Sequence, residues 1–243
     1  MDSFAPETLA LAVVIGALAG VIRGITGFGG AMVMSPPLAL LFGPQLAVPV
    51  VLLLESIVAA PMLVQTRKLV RWRVILPIVL ASAFTVPIGG YVLLSADPLI
   101  LRRAIAAIVI VFSLLLLRGW RYAGAHRRAT GAGLGAVAGA MLGATSIGGP
   151  PVILYLLAGP DRIEVTRANL TLFVVTSSLA GIVMLWFSGL LDLTALWTGL
   201  LLAPGYYVGL VAGSRLFSRF NDTRFRQFTL FLMIAVSVGI VLR

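Results

Sequence analysis

The sequence has no cysteine, one histidine and few charged residues, and each shortage excludes a class of function. Without cysteine, the chain has no disulfide, no catalytic thiolate and no thiolate-ligated metal. His126 alone cannot assemble a zinc or haem site, and no close Ser/His/Asp set is present. We therefore expect neither an enzyme nor a bound cofactor. Charged residues form 11% of the chain, against about 25% in a soluble domain.

Long apolar runs take the place of those charges. Hydrophobic residues form 60% of the 243-residue chain, and most of the runs approach the ~20 residues that a membrane-spanning helix needs. They are continuously apolar and do not alternate, which predicts an all-α integral membrane protein in a lipid bilayer and not a barrel. The net charge of +10 is then typical of arginines on cytoplasmic loops, and no nucleic-acid partner is expected. The runs are 8–22, 46–64, 74–94, 104–117, 168–187 and 193–212.

Three phrases recur in the same order, roughly 120 residues apart. "TGFGG" at 26–30 resembles "TSIGG" at 145–149, "LLFGP" at 40–44 resembles "LLAGP" at 156–160, and "VPIGGYV" at 86–92 resembles "APGYYVG" at 203–209. This pattern predicts one transmembrane domain over 1–243, made of repeats 1–124 and 125–243. The join falls in the basic loop 118–128.

The arginines predict how the repeats are oriented. If each glycine phrase is only a loop after a single span, basic residues fall on both sides of the membrane, against the positive-inside rule. If each phrase is the tip of a re-entrant helical hairpin, or a broken helix pair, the basic loops share one face; these are 65–73, 118–128, 161–167 and 213–226. We therefore expect two inverted repeats, each a hairpin plus three transmembrane helices, with both termini on the outer, periplasmic face. Ser35-Pro36-Pro37 is expected to break the first returning arm, and 150–158 is too short to span.

Each tip combines a glycine pair with the start of a short helix, where free N–H groups and the helix dipole attract anions. The sequence therefore predicts an anion site between Gly27–Gly30, which includes Phe28 and Gly29, and Ser146–Gly149, which includes Ile147 and Gly148. The hydroxyls of Thr26, Thr145 and Ser146 could contribute, and Pro150 opens the second short helix. Close helix packing is the alternative for these glycines, and it is the favoured interpretation of "GAGLGAVAGAMLG" at 131–143.

Two charged side chains lie inside apolar runs. Burying a charge in a membrane costs free energy, so such a side chain usually has a function or an oppositely charged partner. Arg23 precedes the first tip and is a candidate anion ligand, a partner for Glu55, or a side chain that reaches a surface. Glu55 could neutralise Arg23, carry a coupling proton or occupy a polar gap. Arg167 and Asn169, at the start of a helix after the second tip, are further candidate substrate contacts from a cytoplasmic vestibule.

The two glycine phrases with their flanks carry a family resemblance. "RGITGFGGAMVMSPPLALLFGP" and "TSIGGPPVILYLLAGP…TRANLTLF" resemble the two halves of the TauE/SafE family of sulfite exporters and related anion permeases, over nearly the whole chain. The resemblance implies a bacterial inner-membrane permease for sulfite, organosulfonates or other small organic anions. It places the motif on Gly27–Gly30 and on Ser146–Pro150, and Arg23 fits the form of the motif in which an arginine precedes the glycines.

The leading hypothesis is a secondary anion transporter that works by alternating access around the paired tips. An anion channel with the same site and a non-transporting membrane subunit are the alternatives. Faces of small residues are compatible with a homodimer without requiring one.

Overall fold

A computed structural model describes residues 5–120, 122–123, 127–159, 161–217, 230–231, 233–235 and 237–240. These residues are almost entirely helical, and those described between 230 and 240 are helical too. His126, Arg243 and most of the basic stretch 213–226 lie outside the described residues. The helices are α1 (Pro6–Thr26), α2 (Gly30–Phe42), α3 (Pro44–Thr66), α4 (Trp72–Ser95), α5 (Pro98–Leu117), α6 (Arg128–Thr145), α7 (Gly149–Leu156), α8 (Ile163–Phe187) and α9 (Leu193–Phe217), with a 3₁₀ turn at Arg67–Leu69.

Six of these helices are long and apolar enough to cross a membrane, namely α1, α3, α4, α5, α8 and α9. They coincide with the six apolar runs, so the prediction of membrane-length helices is confirmed. Large apolar side chains such as Phe84 on α4 and Phe187 on α8 point outward and are largely exposed. A lipid surround suits such side chains, whereas water would not.

Glycines let α1 pack backbone to backbone against α9. A Cβ on Gly20 would lie 2.2 Å from the Tyr206 carbonyl oxygen, and one on Gly24 would lie 2.3 Å from that of Leu210. Small residues permit this close approach where lipid provides no hydrophobic drive for association. Gly16 faces Leu202 one turn earlier, so the contacts advance in step and the two helices run in the same direction.

The glycine-rich stretch 131–143 does the same for α6 and α4. A Cβ on Gly135, Gly139 or Gly143 would lie 2.1–2.3 Å from a backbone carbonyl of α4. The packing interpretation of this stretch is therefore confirmed. The partners on α4 advance from Ile78 to Val86 as the glycines advance, so α4 and α6 are parallel.

Helix α8 lies between α3 and α4. Ser177 hydrogen-bonds Ser82 at 2.8 Å, and Met184 lies against Gly90 further along both helices, so α8 runs parallel to α4. Leu52 of α3 faces Gly181, while the turn after α3 meets the start of α8, where the Arg71 amide donates to Asn169 Oδ1 at 2.9 Å. Helices α3 and α8 are therefore antiparallel.

The two glycine phrases end helices in the same way. The first tip, 26–30, follows α1 and contains Gly27 at φ 80° and Gly29 at φ 87°. The second tip, 145–149, follows α6 and contains Ser146 at φ 60°, the one non-glycine residue with positive φ among those described. After the second tip, α7 returns along α6, since the Tyr155 hydroxyl donates to the Arg127 carbonyl at 3.5 Å.

The expected break at Ser35-Pro36-Pro37 is wrong, because α2 is one continuous helix of 13 residues. Each proline removes a backbone N–H and would ordinarily break a helix. Within a bundle, neighbouring side chains can satisfy the freed carbonyls. The Ser35 hydroxyl donates to the Ala31 carbonyl at 2.7 Å, which strengthens the turn before the prolines but does not replace either lost bond. At about 1.5 Å per residue, α2 is still too short to span the ~30 Å core.

Candidate functional site

The two tips face a common cavity of about 40 Å³, here called the tip cavity. One water needs about 10–15 Å³ on the same measure, so the space suits a small ion or a few waters. Charged or polar groups enter it from α1, α3 and α8. The lining residues are Arg23, Gly27, Phe28, Gly29, Ala31, Met32, Glu55, Leu142, Ser146, Ile147, Gly148, Gly149, Pro150, Leu170, Thr171, Val174 and Ser178.

Arg23 and Glu55 form a buried ion pair at the edge of this cavity. Arg23 lies in the last turn of α1 and is 2% exposed, and Glu55 lies in the middle of α3 and is 3% exposed. The second carboxylate oxygen, Oε1, accepts from the Tyr206 hydroxyl of α9 at 2.7 Å. The pairing that the sequence allowed for Glu55 is thus present, and we call the three side chains the charge cluster.

Gly30 provides the room for the charge cluster. A Cβ at this position would lie 2.3 Å from the Tyr206 Oη and 2.5 Å from Glu55 Oε1. The first residue of α2 therefore packs directly over the buried charges, although Gly30 itself does not line the tip cavity.

Two hydrogen-bond donors at the cavity have no partner among the described residues. They are Nε of Arg23 and the hydroxyl of Ser178, which is 1% exposed. A buried polar group left unsatisfied costs about 1–3 kcal/mol, and both residues line the tip cavity. A small anion in the cavity is the kind of ligand that would accept from both donors.

The threonines of the two tips are used locally and in matching ways. Thr26 donates to the Ile22 carbonyl at 2.8 Å and accepts from the Phe28 amide at 3.3 Å. Thr145 donates to the Met141 carbonyl at 2.7 Å and accepts from the Ile147 amide at 3.3 Å. Neither threonine lines the tip cavity. These hydroxyls fix the backbone of the tips and do not point at a ligand.

The hydroxyl of Ser146 joins the two halves of the site. It lies 2.7 Å from the hydroxyl of Ser35 on α2, so the second tip is tied to the arm that leaves the first tip. Ser146 lines the tip cavity as well.

Arg167 and Asn169 do not line the tip cavity, although Arg167 packs against Gly27, which does line it. Arg167 donates from Nη2 to the Ile25 carbonyl at 2.8 Å. Its positive charge stabilises the carboxyl end of α1, which carries partial negative charge. Asn169 is fully buried and its Oδ1 accepts from the Arg71 amide at 2.9 Å. Arg167 thus supports the first tip at the end of α1, and Asn169 positions the turn before α4.

Tyr206 was missed by sequence reasoning. It belongs to the third repeated phrase, "APGYYVG", which the sequence analysis used only to define the repeat. A hydroxyl inside an apolar run needs a buried partner, and that signal could have linked Tyr206 to the intramembrane charges. The described residues hold no group of three His, Asp or Glu side chains that could bind a metal ion.

The arrangement offers a small oxyanion several donors. Arg23 supplies a guanidinium, and the amide-rich starts of α2 and α7 approach the cavity at Gly29 and Gly149. The Glu55 carboxylate already pairs with this guanidinium and therefore competes with an incoming anion for it. An anion that binds beside the two helix starts can contact Arg23 in one of two ways. Either the Arg23 guanidinium interacts with the anion and Glu55 together, or its ion pair with Glu55 breaks.

Comparison with known proteins gives one assignment. The family model described as "Sulfite exporter TauE/SafE" matches residues 12–240. Neither the curated proteins nor the solved structures contain a match. The match covers both tips, the charge cluster, α1 from Ala12 onward and the other five membrane-length helices in full. The family is one of membrane transporters for small anions. This multi-pass membrane protein therefore belongs to the sulfite exporter TauE/SafE family.

Proposed function

We propose that the protein is a secondary transporter that exports a small anion, sulfite or an organosulfonate or organic acid, across the bacterial inner membrane. The observation that carries the proposal is the buried guanidinium of Arg23, whose Nε has no partner among the described residues and lies at a cavity lined by both tips. The substrate class comes from the family, and the small cavity volume favours sulfite over larger sulfonates.

Helix boundaries support a two-fold repeat. The ends of α1 and α6, the starts of α2 and α7, and the starts of α3 and α8 are each 119 residues apart. The glycines that pack α1 on α9 and α6 on α4 keep the same offset, since Gly16, Gly20 and Gly24 precede Gly135, Gly139 and Gly143 by 119 residues. Repeats 1–124 and 125–243 are thus proposed as the moving halves.

Helix directions support inversion of the two repeats. Helix α6 is parallel to α4 and α8, whereas α1 is parallel to α9. Because α8 and α9 are consecutive membrane-length helices joined by a short turn, they cross the membrane in opposite directions. Then α1 and α6 also cross in opposite directions, as inverted repeats require.

Contacts among the basic loops support the re-entrant hairpins and the outward placement of the termini. Arg71 pairs with Asp161, and both share a cleft with Arg127 and Arg128. Three of the predicted basic loops therefore meet at one end of the molecule, which the positive-inside rule assigns to the cytoplasm. The returning path of α7 along α6 fits a hairpin that enters and leaves from that end.

In the proposed mechanism, the anion binds at the tip cavity and one repeat rocks against the other to alternate its access. The anion accepts from Arg23 and from the amides at Gly29 and Gly149, which replace part of its hydration. An outside-positive potential drives anions outward by about 2.3 kcal/mol per charge per 100 mV. Glu55 then has one of two roles, either as a fixed counter-ion or as a carboxylate that takes up a proton when the anion occupies Arg23.

Flux from proteoliposomes tests the proposal. Vesicles loaded with sulfite should release it at a rate that saturates with concentration and rises with an imposed outside-positive potential. Saturation with slow turnover separates a transporter from an anion channel, whose flux follows the gradient with single-channel currents. Absence of sulfite, sulfonate and carboxylate flux would refute the proposal and favour a non-transporting subunit.

A collapsed pH gradient separates the two roles of Glu55. Sulfite accumulation that persists without a pH gradient would assign Glu55 as a fixed counter-ion. Accumulation that disappears with the gradient would assign the coupling proton to it, and Glu55→Gln should then make flux independent of the gradient.

A further inference from the structure

A second cleft lies at the charged end of the molecule, separate from the tip cavity. Its volume is about 220 Å³, and it shares no lining residue with the tip cavity. Arginines enter it from two segments that are distant in sequence, the turn before α4 and the start of α6. We call it the basic cleft, and its polar lining residues are Arg71, Arg73, Arg127, Arg128, Tyr155 and Asp161.

The arginines of the basic cleft lie where helix electrostatics disfavours them. Arg71 and Arg127 are the N-cap residues of α4 and α6, and neither helix start has a side-chain cap. Arg73 and Arg128 lie in the first turns of the same helices. The amino end of a helix carries partial positive charge, so a cation there is repelled and an anion is attracted.

The protein itself neutralises little of this charge. Among the described residues, Asp161 is the one acidic side chain that lines the cleft, and it pairs with Arg71. Arg73, Arg127 and Arg128 are exposed, and their side chains form no ion pair within the described ranges. Two helix starts therefore face one concave space, together with three guanidinium groups that have no ion-pair partner among the described residues.

We infer that the basic cleft is a binding site for a phosphate-type oxyanion, distinct from the transport site. Guanidinium groups bind phosphate oxygens in a bidentate manner, and basic pockets on the cytoplasmic side of membrane proteins accept anionic headgroups. The volume exceeds that of the tip cavity severalfold and accommodates a headgroup. The ligand could be an anionic phospholipid or a soluble phosphate. The apolar, exposed face of α4, which begins at Trp72 and continues through Leu76 and Leu80, offers an acyl chain a place to lie.

Native mass spectrometry of the full-length protein tests the site. The protein in detergent is titrated with phosphatidylglycerol, with phosphatidylcholine, and separately with inorganic phosphate as a competitor. The test variant is Arg73→Gln/Arg128→Gln, which leaves the Arg71–Asp161 pair intact. The matched control is Arg67→Gln/Lys68→Gln, which removes two exposed charges from the 3₁₀ turn beside the cleft. Thermal unfolding with phosphatidylcholine alone verifies that both variants fold.

The wild type and the control should bind phosphatidylglycerol alike. The test variant should bind it about thirtyfold more weakly, since each surface arginine contributes about fivefold to the binding of an anionic lipid. Displacement by inorganic phosphate at millimolar concentration would assign the cleft to a soluble oxyanion, and resistance to displacement would assign it to the lipid. Equal binding of the two lipids, or an equal loss in both variants, would overturn the inference and indicate diffuse surface charge.

Discussion

Substitutions in the charge cluster should change the stability of the protein and its binding of sulfite in different ways, and the two effects can be measured separately. Arg23→Leu leaves the Glu55 carboxylate buried with Tyr206 as its remaining partner. Removing one member of a buried ion pair costs about 3–5 kcal/mol, because the other charge stays desolvated. We therefore expect Arg23→Leu to lower the free energy of unfolding by about that amount.

The proposed two-fold repeat suggests the compensating change. Residues 119 positions after Arg23 and Glu55 are Leu142 and Val174, and both line the tip cavity. Replacing a whole buried ion pair by apolar residues is often neutral or stabilising. The double variant Arg23→Leu/Glu55→Val should therefore regain most of the lost stability, while sulfite binding is lost in both variants.

The assay is unfolding by sodium dodecyl sulfate in mixed micelles, followed by tryptophan fluorescence, with sulfite binding measured on the same samples. A double variant as unstable as Arg23→Leu would refute the desolvation argument. A stable double variant that binds sulfite like the wild type would show that the ion pair is structural and that the anion does not use Arg23.

Three further predictions address the supports of the site. Tyr206→Phe removes a donor to a buried carboxylate and should lower the free energy of unfolding in the same titration by about 1.5–3 kcal/mol; an unchanged value would contradict the bond. Gly139→Leu should prevent α6 from packing on α4 and should give an aggregated elution profile in size-exclusion chromatography. Gly133→Leu is the control and should elute as the wild type does, because a Cβ at Gly133 meets nothing within 4 Å. Gly29→Val, at φ 87°, should slow sulfite flux from proteoliposomes more than Gly149→Ala, which has open space; the reverse order would contradict the backbone argument.

Sequence patterns predicted the features that depend on composition and spacing. The six membrane-length helices and the packing role of the glycines at 131–143 follow from hydropathy and small-residue spacing, which act locally. Gly27 and Ser146 occupy the same position in the aligned phrases and both have positive φ, which the sequence did not predict for a serine.

Features that depend on tertiary partners were not predictable. The continuity of α2 through Pro36 and Pro37 depends on packing within the bundle. The choice between anion binding and pairing for Arg23 depends on where α3 places Glu55. Tyr206 enters the cluster only because glycines bring α9 against α1, a contact between distant segments that no local pattern encodes.

A structure determined with selenite would show whether the tip cavity holds the transported anion. Selenite mimics sulfite, and the anomalous scattering of selenium locates the anion without assumptions about its surroundings. We expect a selenium peak between Gly29 and Gly149, in contact with the guanidinium of Arg23. Selenium only in the basic cleft, with an empty tip cavity at a concentration that saturates flux, would contradict it.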